Sequence, residues 1–421
     1  MNEMIYKVGD TPKMAKEWIL YTIQMVLAVF VATVLIANIC GTPVNSCLLG
    51  ACFGTLIYQA LTKFRSPMFI SSCGATVSAV CGALSLNAAG NNYLMVACGG
   101  LVIMVVYAVV AAAFKWKGPD LINRFLPPSI IGSITIIIGL NLATFEVTYT
   151  HNSNTWEVVI AILTMLVVAL TSHYFKGFWK TIPFLFGLLF GYVLCLVLKI
   201  FDIDILSFDS FRSMQWYPDL TFLQWRAEDW SWSNFGQTIL YFLPVSLCAT
   251  CEHMSDHKTL SNIIGQDLTT DPGLDRTLLG DGIASAAGSI ICGLPNTSYG
   301  ESIATIGFSR VASVWITTAA ALVLGLLSFC APIMAFIETI PSCVFGGCAL
   351  VLYGYIASSG LKTLLNNKID LNDNRNLTIV SVVLCSGISG IYLFNQSFAG
   401  VSLAMVLGII LNLILKEPEK N

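Results

Sequence analysis

Apolar runs of about twenty residues, the length an α-helix needs to cross the hydrocarbon core of a bilayer, follow one another from Trp18 to Leu415 with short polar connections between them. Within that core a backbone must close its own hydrogen bonds, in helices or in a sealed barrel. The pattern therefore dictates a bundle of membrane-spanning helices and leaves no stretch for a soluble domain. Composition agrees: 56% of residues are hydrophobic, 11% are charged, and the mean hydropathy is +0.77, well outside the soluble range. The stretch Met1 to Lys16 has mixed charge and no short apolar core ahead of a small-residue cleavage site. The first run is thus expected to be a genuine span and not a removable signal. A net charge of -3, dispersed over short connections, gives no indication of a nucleic-acid partner.

Hydropathy, Pro and Gly place fourteen expected spans, beginning near residues 18, 44, 68, 92, 128, 156, 183, 235, 277, 298, 312, 341, 376 and 399. With the N-terminus inside, all but three of the 21 lysines and arginines fall in cytoplasmic connections. That bias sets orientation, and it supports an even number of spans, with both termini cytoplasmic in the inner (plasma) membrane. The three exceptions, Lys199, Arg212 and Arg226, share one connection with Asp202, Asp204, Asp209, Asp219, Glu228 and Asp229, which reads as an acidic, Trp-rich external loop.

The chain has 14 cysteines, most of them inside apolar runs, where they serve as small packing residues. Cys248 and Cys251, followed by Glu252, His253 and His257, have a spacing that resembles a metal site. No second Cys or His pair with ligand spacing accompanies them, so neither metal nor cofactor is expected. His253 and His257 are read as residues of the membrane interface.

Two parts of the chain echo each other. Leu48-Leu49-Gly50 precedes Pro67 and the small-residue run Ser71 to Ala75, as Leu278-Leu279-Gly280 precedes Pro295 and Ser298 to Ser302. Pro127-Pro128-Ser129-Ile130-Ile131-Gly132 likewise resembles Pro341-Ser342-Cys343-Val344-Phe345-Gly346. Seven spans in each half make such a repeat inverted, as in many transporters. The third and tenth spans are then equivalent, both preceded by Pro and rich in Gly, Ser and Thr. Segments of this kind break at mid-membrane and free backbone groups for a polar substrate; packing of small-residue helix faces is the alternative.

Ionisable groups inside spans are costly and mark function. Glu252 ends the apolar run Ile239 to Cys251, and Glu301 follows Gly300 inside the tenth span with no Lys or Arg within one helical turn. Asp256 lies four residues after Glu252 on the same helix face, a pairing suited to carrying a proton.

The stretch Glu252-His253-Met254-Ser255-Asp256, Asp271-Pro272-Gly273-Leu274, then Pro295-Asn296-Thr297-Ser298-Tyr299-Gly300-Glu301 and Ser309-Arg310 resembles the nucleobase–ascorbate transporter family, its bacterial uracil-carrying branch in particular. The resemblance extends to Gln24, the Pro127-Pro128 span, Tyr353-Gly354 and Asp370 with Asn376-Leu377. It implies fourteen spans in two inverted sevens, an all-α polytopic fold with short antiparallel strands in broken spans three and ten. It further implies a core domain (residues 1–125 and 235–337, spans 1 to 4 and 8 to 11) moving against a gate domain (126–234 and 338–421, spans 5 to 7 and 12 to 14), and a homodimer. In the family the residue matching Glu252 accepts hydrogen bonds from the base and that matching Glu301 binds it and couples to protonation. Backbone groups at Gly300 and Gly74 complete the site beside Tyr299. The coupling ion implied is H⁺, with Glu301 and Asp256 as its carriers. The uracil branch has His, Phe and Asn where this chain has Asp256, Gly74 and Ser302. Asp256 is similar to the purine-carrying branch, which has Gln at the position of Glu301. Uracil is the expected substrate and xanthine the alternative. An anion exchanger of the same fold would want a basic or neutral site, a channel would not accumulate its substrate, and an enzyme would need a nucleophile or cofactor loop that the spans lack.

Overall fold

The computed structural model describes residues 4–87, 89–117, 127–150, 155–201, 203, 205–212, 226–389, 392–393, 396–397 and 400–415. Parts of the acidic connection, including Asp202, Asp204 and Asp219, lie outside the described residues, as do Arg124, Lys416 and Lys420.

The chain runs α1 (Ala15–Cys40), α2 (Val44–Leu61), β1 (Ile70–Ser72), a 3₁₀ turn (Gly74–Thr76), α3 (Val77–Leu84), α4 (Tyr93–Lys117), α5 (Pro128–Thr150), α6 (Thr155–Tyr174) and α7 (Pro183–Ile200). It continues through α8 (Trp232–Ile264), α9 (Leu274–Ile290), β2 (Asn296–Ser298), α10 (Gly300–Ser309), α11 (Val314–Leu327), α12 (Ala331–Glu338), α13 (Ser342–Asn366), α14 (Asn374–Ile388) and α15 (Gly400–Ile414). A helix or strand begins within three residues of every span start expected from the sequence. Six helices among the described residues are long and apolar enough to cross a membrane, or seven if α11 and α12, bent by 78°, form one span.

Local chemistry explains the boundaries. Pro128 and Pro183 each sit at a helix start, where the missing N–H costs nothing. Gly41 (φ +66°) and Gly265 (φ +70°) end α1 and α8 in the left-handed conformation. Ser231 caps α8 by accepting a hydrogen bond from the Asn234 amide at 3.0 Å.

The apolar run in α8 does not close the helix at Glu252. The helix continues to Ile264 because its polar continuation is covered by protein: His253, His257 and Ser261 all face inward. This corrects the expectation that the two histidines lie at the membrane interface.

The densest helix contacts form two groups. In one, α9 packs on α2 and α4, α8 on α4 and α3, and α11 on α2 and α1; in the other, α13 packs on α5, α6 and α7, and α14 packs on α15 and α5. Small residues bring the first group close: a Cβ added to Gly50 of α2 would lie 3.2 Å from Gly288 Cα of α9, the close approach on which helix pairing in a bilayer depends. By contrast α6 and α7 leave Leu163, Leu166, Leu170, Phe190, Val193 and Val197 exposed, an apolar surface suited to lipid.

The broken strands lie within the first group, β1 against α2 and α1 and β2 against α9 and α8. β1 and β2 pair antiparallel, with Ile70 opposite Ser298, Ser71 opposite Thr297 and Ser72 opposite Asn296. The Cys73 amide donates to Pro295 O (2.9 Å) and the Tyr299 amide to Phe69 O (3.1 Å), extending the ladder at both ends. Side chains satisfy the outer edges. Thr55 Oγ1 bridges the carbonyl and amide of Ile70 at 2.8 and 3.1 Å, and Ser285 Oγ donates to the Asn296 carbonyl. Such non-helical backbone persists inside a membrane protein only when buried and satisfied in this way.

Candidate substrate-binding site

Each broken segment passes from strand into helix, α3 following the 3₁₀ turn at Gly74 and α10 starting at Gly300, beyond opposite ends of the antiparallel pair. Their N-termini carry unpaired amides and the positive ends of the helix dipoles, which suits the carbonyl oxygens of a polar ligand. Gly300 is exposed, and a Cβ added there would meet nothing within 4 Å.

The open space beside Gly300 is a cavity of about 1730 Å³, lined among others by Glu252, Asp256, Gly300, Ile303 and Ala304, and by Thr135 of α5 and Ser359 of α13. Lys115, Lys258, Lys362 and Asp267 also line it. Asp267 lies in the connection after α8, where its carboxylate accepts from Thr269 Oγ1 (2.5 Å) and the Thr269 amide (2.9 Å). Those bonds hold its pKa below the usual carboxylate value.

Glu252, Asp256 and Gly300 line the same cavity. Glu252 is exposed to that cavity and Asp256 half-buried beside it. Glu301, in the first turn of α10, is half-buried, and its carboxylate is within electrostatic range of Glu252. The Tyr299 side chain is buried at the helix cap. Neither of these two, nor Gly74, is among the cavity-lining residues. At Gly74 an added Cβ would meet Ile356 Cδ1 at 3.5 Å and Ile36 Cδ1 at 3.9 Å, so the room a larger side chain would need is bounded by these two isoleucines.

A second acidic centre escaped the sequence reading. Asp281 of α9 is fully buried. Its Oδ2 accepts from His253 Nδ1 (2.5 Å), Thr297 Oγ1 (3.2 Å) and the Ser298 amide (3.3 Å). His253 stacks on His257 with centroids 4.0 Å apart. His257 Nδ1 faces the His253 carbonyl at 2.8 Å and must donate to it, which leaves Nε2 to accept from Tyr58 Oη at 2.5 Å. Tyr58 Oη also lies 2.9 Å from Ser66 Oγ. Alternate faces of α8 thus have separate tasks: Glu252 and Asp256 look into the cavity, while His253 and His257 anchor the helix to α9 and α2. The available signal was an aspartate inside the run of small residues from Gly280 to Ser289, an intramembrane charge like the others.

A permease-family model matches residues 16–396. The probable uracil permease of Haemophilus influenzae is 34% identical over 409 residues, covering 95% of this chain and 94% of that one. The uracil permease of Bacillus subtilis is 32% identical, covering 96% and 94%. Among solved structures, the transmembrane domain of a cyanobacterium bicarbonate transporter, BicA, superposes with a TM-score of 0.66 at 13% identity, covering 96% of this chain and 98% of that one. The murine anion transporter Slc26a9 in its inward-facing state gives 0.69 at 12%, covering 96% and 69%; both likenesses concern the fold alone. On these matches, the chain is a polytopic membrane permease and belongs to the nucleobase–ascorbate transporter family.

Proposed function

We propose that this protein is a proton-coupled symporter that imports a nucleobase, uracil first, by alternating access of a core domain against a gate domain. The observation that carries the reading is the cavity that Glu252, Asp256 and the open α10 N-terminus at Gly300 all line. The ring N–H groups of a base need acceptors and its carbonyls need donors. Carboxylates supply the first, and the amides at a fixed helix start supply the second at little entropic cost. Relatives named as uracil permeases support the choice of base.

In this reading Glu252, Glu301, Tyr299 and backbone groups at Gly300 and Gly74 bind the base, and Asp256 and Glu301 carry the proton. In this reading the first contact group, which holds the broken strands, corresponds to the core (1–125 and 235–337) and the second to the gate (126–234 and 338–421). The whole is fourteen spans in two inverted sevens, a homodimer in the inner membrane with cytoplasmic termini. Lys115, Lys258 and Lys362 around the cavity are among the basic residues that charge bias assigns to the cytoplasmic side, so the cavity is the inward-facing path.

A second reading, a purine carrier, draws on Asp256 and on Gly74, beside which only Ile356 and Ile36 would meet an added Cβ within 4 Å. Uptake of radiolabelled bases in cells lacking their own base transporters decides between them. Saturable, concentrative uracil uptake supports the first reading. Inhibition by micromolar xanthine without uptake of uracil would replace it with the second, and uptake that neither saturates nor accumulates against a gradient would point to a channel.

A further inference from the structure

Ser298 occupies an unusual place in the pairing of the broken segments. Its Oγ donates to Asp256 Oδ2 on α8 at 2.7 Å, and its amide donates to Asp281 Oδ2 on α9 at 3.3 Å. The next residue caps α10, and the one after it is Gly300. The two acids differ in access. Asp281 is fully buried and held by His253, so it is a fixed anchor. Asp256 lines the cavity, where water can deliver a proton to it.

A hydroxyl bond to a carboxylate is charge-assisted and about twice as strong as a neutral one. When Asp256 takes up a proton from the cavity, that bond weakens while the Asp281 bond stays. One end of residue 298 is then released and the other retained, immediately before the amides that start α10. Other acids within electrostatic range of Asp256 are Glu252 on its own helix, Asp281 on α9 and Glu301 on α10. The cations that share its cavity are Lys115 of α4, Lys258 of α8 and Lys362 of α13.

We propose that Ser298 is a positioning residue for coupling, which passes the protonation state of Asp256 to the ligand-facing start of α10. The inference rests on the proton-symport reading above. It predicts that the hydroxyl matters for proton-driven accumulation and not for exchange of bound base, because exchange requires no net release of the proton.

The test uses the full chain in proteoliposomes with radiolabelled uracil. Ser298→Ala should lower accumulation driven by a pH gradient by about tenfold, the loss expected for one charge-assisted hydrogen bond. Counterflow at equal pH should stay within about threefold of the parent. Ser298→Thr, which keeps the hydroxyl, should restore accumulation. The proposal is overturned if Ser298→Ala accumulates like the parent, if accumulation and counterflow fall together, or if threonine does not rescue. A protonophore applied to the parent separates the two levels: an indifferent parent refutes proton coupling and this inference with it, whereas a sensitive parent with a normal Ser298→Ala variant refutes this inference alone.

Discussion

Replacing Gly288 by alanine should destabilise the protein without touching the cavity. Gly288 lies on α9 where Asn296 inserts between α9 and α2, with Asn296 Nδ2 donating to Gly50 O at 2.8 Å and to Ala284 O at 3.2 Å. A Cβ at 288 would lie 2.5 Å from Asn296 Nδ2 and 2.6 Å from Leu294 O. The second neighbour is backbone, so side-chain rotation alone cannot relieve the overlap. Overpacking of this kind costs about 1–3 kcal/mol, and forcing Asn296 off one carbonyl adds about 1 kcal/mol, giving about 2–4 kcal/mol in all. For a chain of this length we expect the midpoint of thermal unfolding in detergent to fall by about 3–6 °C, extending the size dependence of smaller domains. Gly300→Ala is the control, because its Cβ meets nothing within 4 Å: it should melt like the parent yet bind base more weakly by filling the cavity. If Gly288→Ala melts with the parent, the close approach of α9, α2 and β2 is wrong.

His253→Ala removes one of the three donors to buried Asp281 and should cost about 1–3 kcal/mol for the unmade hydrogen bond, seen as a lower midpoint of thermal unfolding in detergent; a variant that melts with the parent would contradict the pairing. Tyr58→Phe keeps the ring but leaves His257 Nε2 without its donor, for about 1–3 kcal/mol; a melting curve that overlays the parent would contradict the hydrogen-bonding roles assigned to the two groups. A protonophore should stop base accumulation, and Na⁺ dependence at constant pH with indifference to the protonophore would remove the H⁺ assignment.

Much of this architecture was legible because the bilayer imposes a strict rule. Apolar runs bounded by Pro and Gly placed α5, α7 and α13 to within one residue of their starts, since Pro is tolerated in the first turn and almost nowhere else in a helix. The small residues around Ser71 and Ser298 pointed to the breaks because both runs follow a proline and stand at matching places in the two halves of the chain. The polar anchoring behind the cavity was harder to read. Asp281 and His253 are 28 residues apart on different helices, and nothing in either local pattern joins them. The histidines share a helix with cavity-facing acids, and only the packing around α8 distinguishes the two faces. Gly74 illustrates a different limit: the missing side chain is visible in the sequence, but the two isoleucines that bound its space come from α13 and α1.

The central claim is that Glu252 supplies the acceptor that holds the base. Binding of radiolabelled uracil to purified parent and Glu252→Ala protein in detergent tests it directly. Losing the acceptor leaves ring N–H groups unpaired in the site, about 1–3 kcal/mol, which predicts affinity weaker by about 5- to 150-fold and smaller thermal stabilisation by the same uracil concentration, in a variant that otherwise elutes and melts like the parent. A folded Glu252→Ala variant that binds uracil with the parent's affinity would contradict the account.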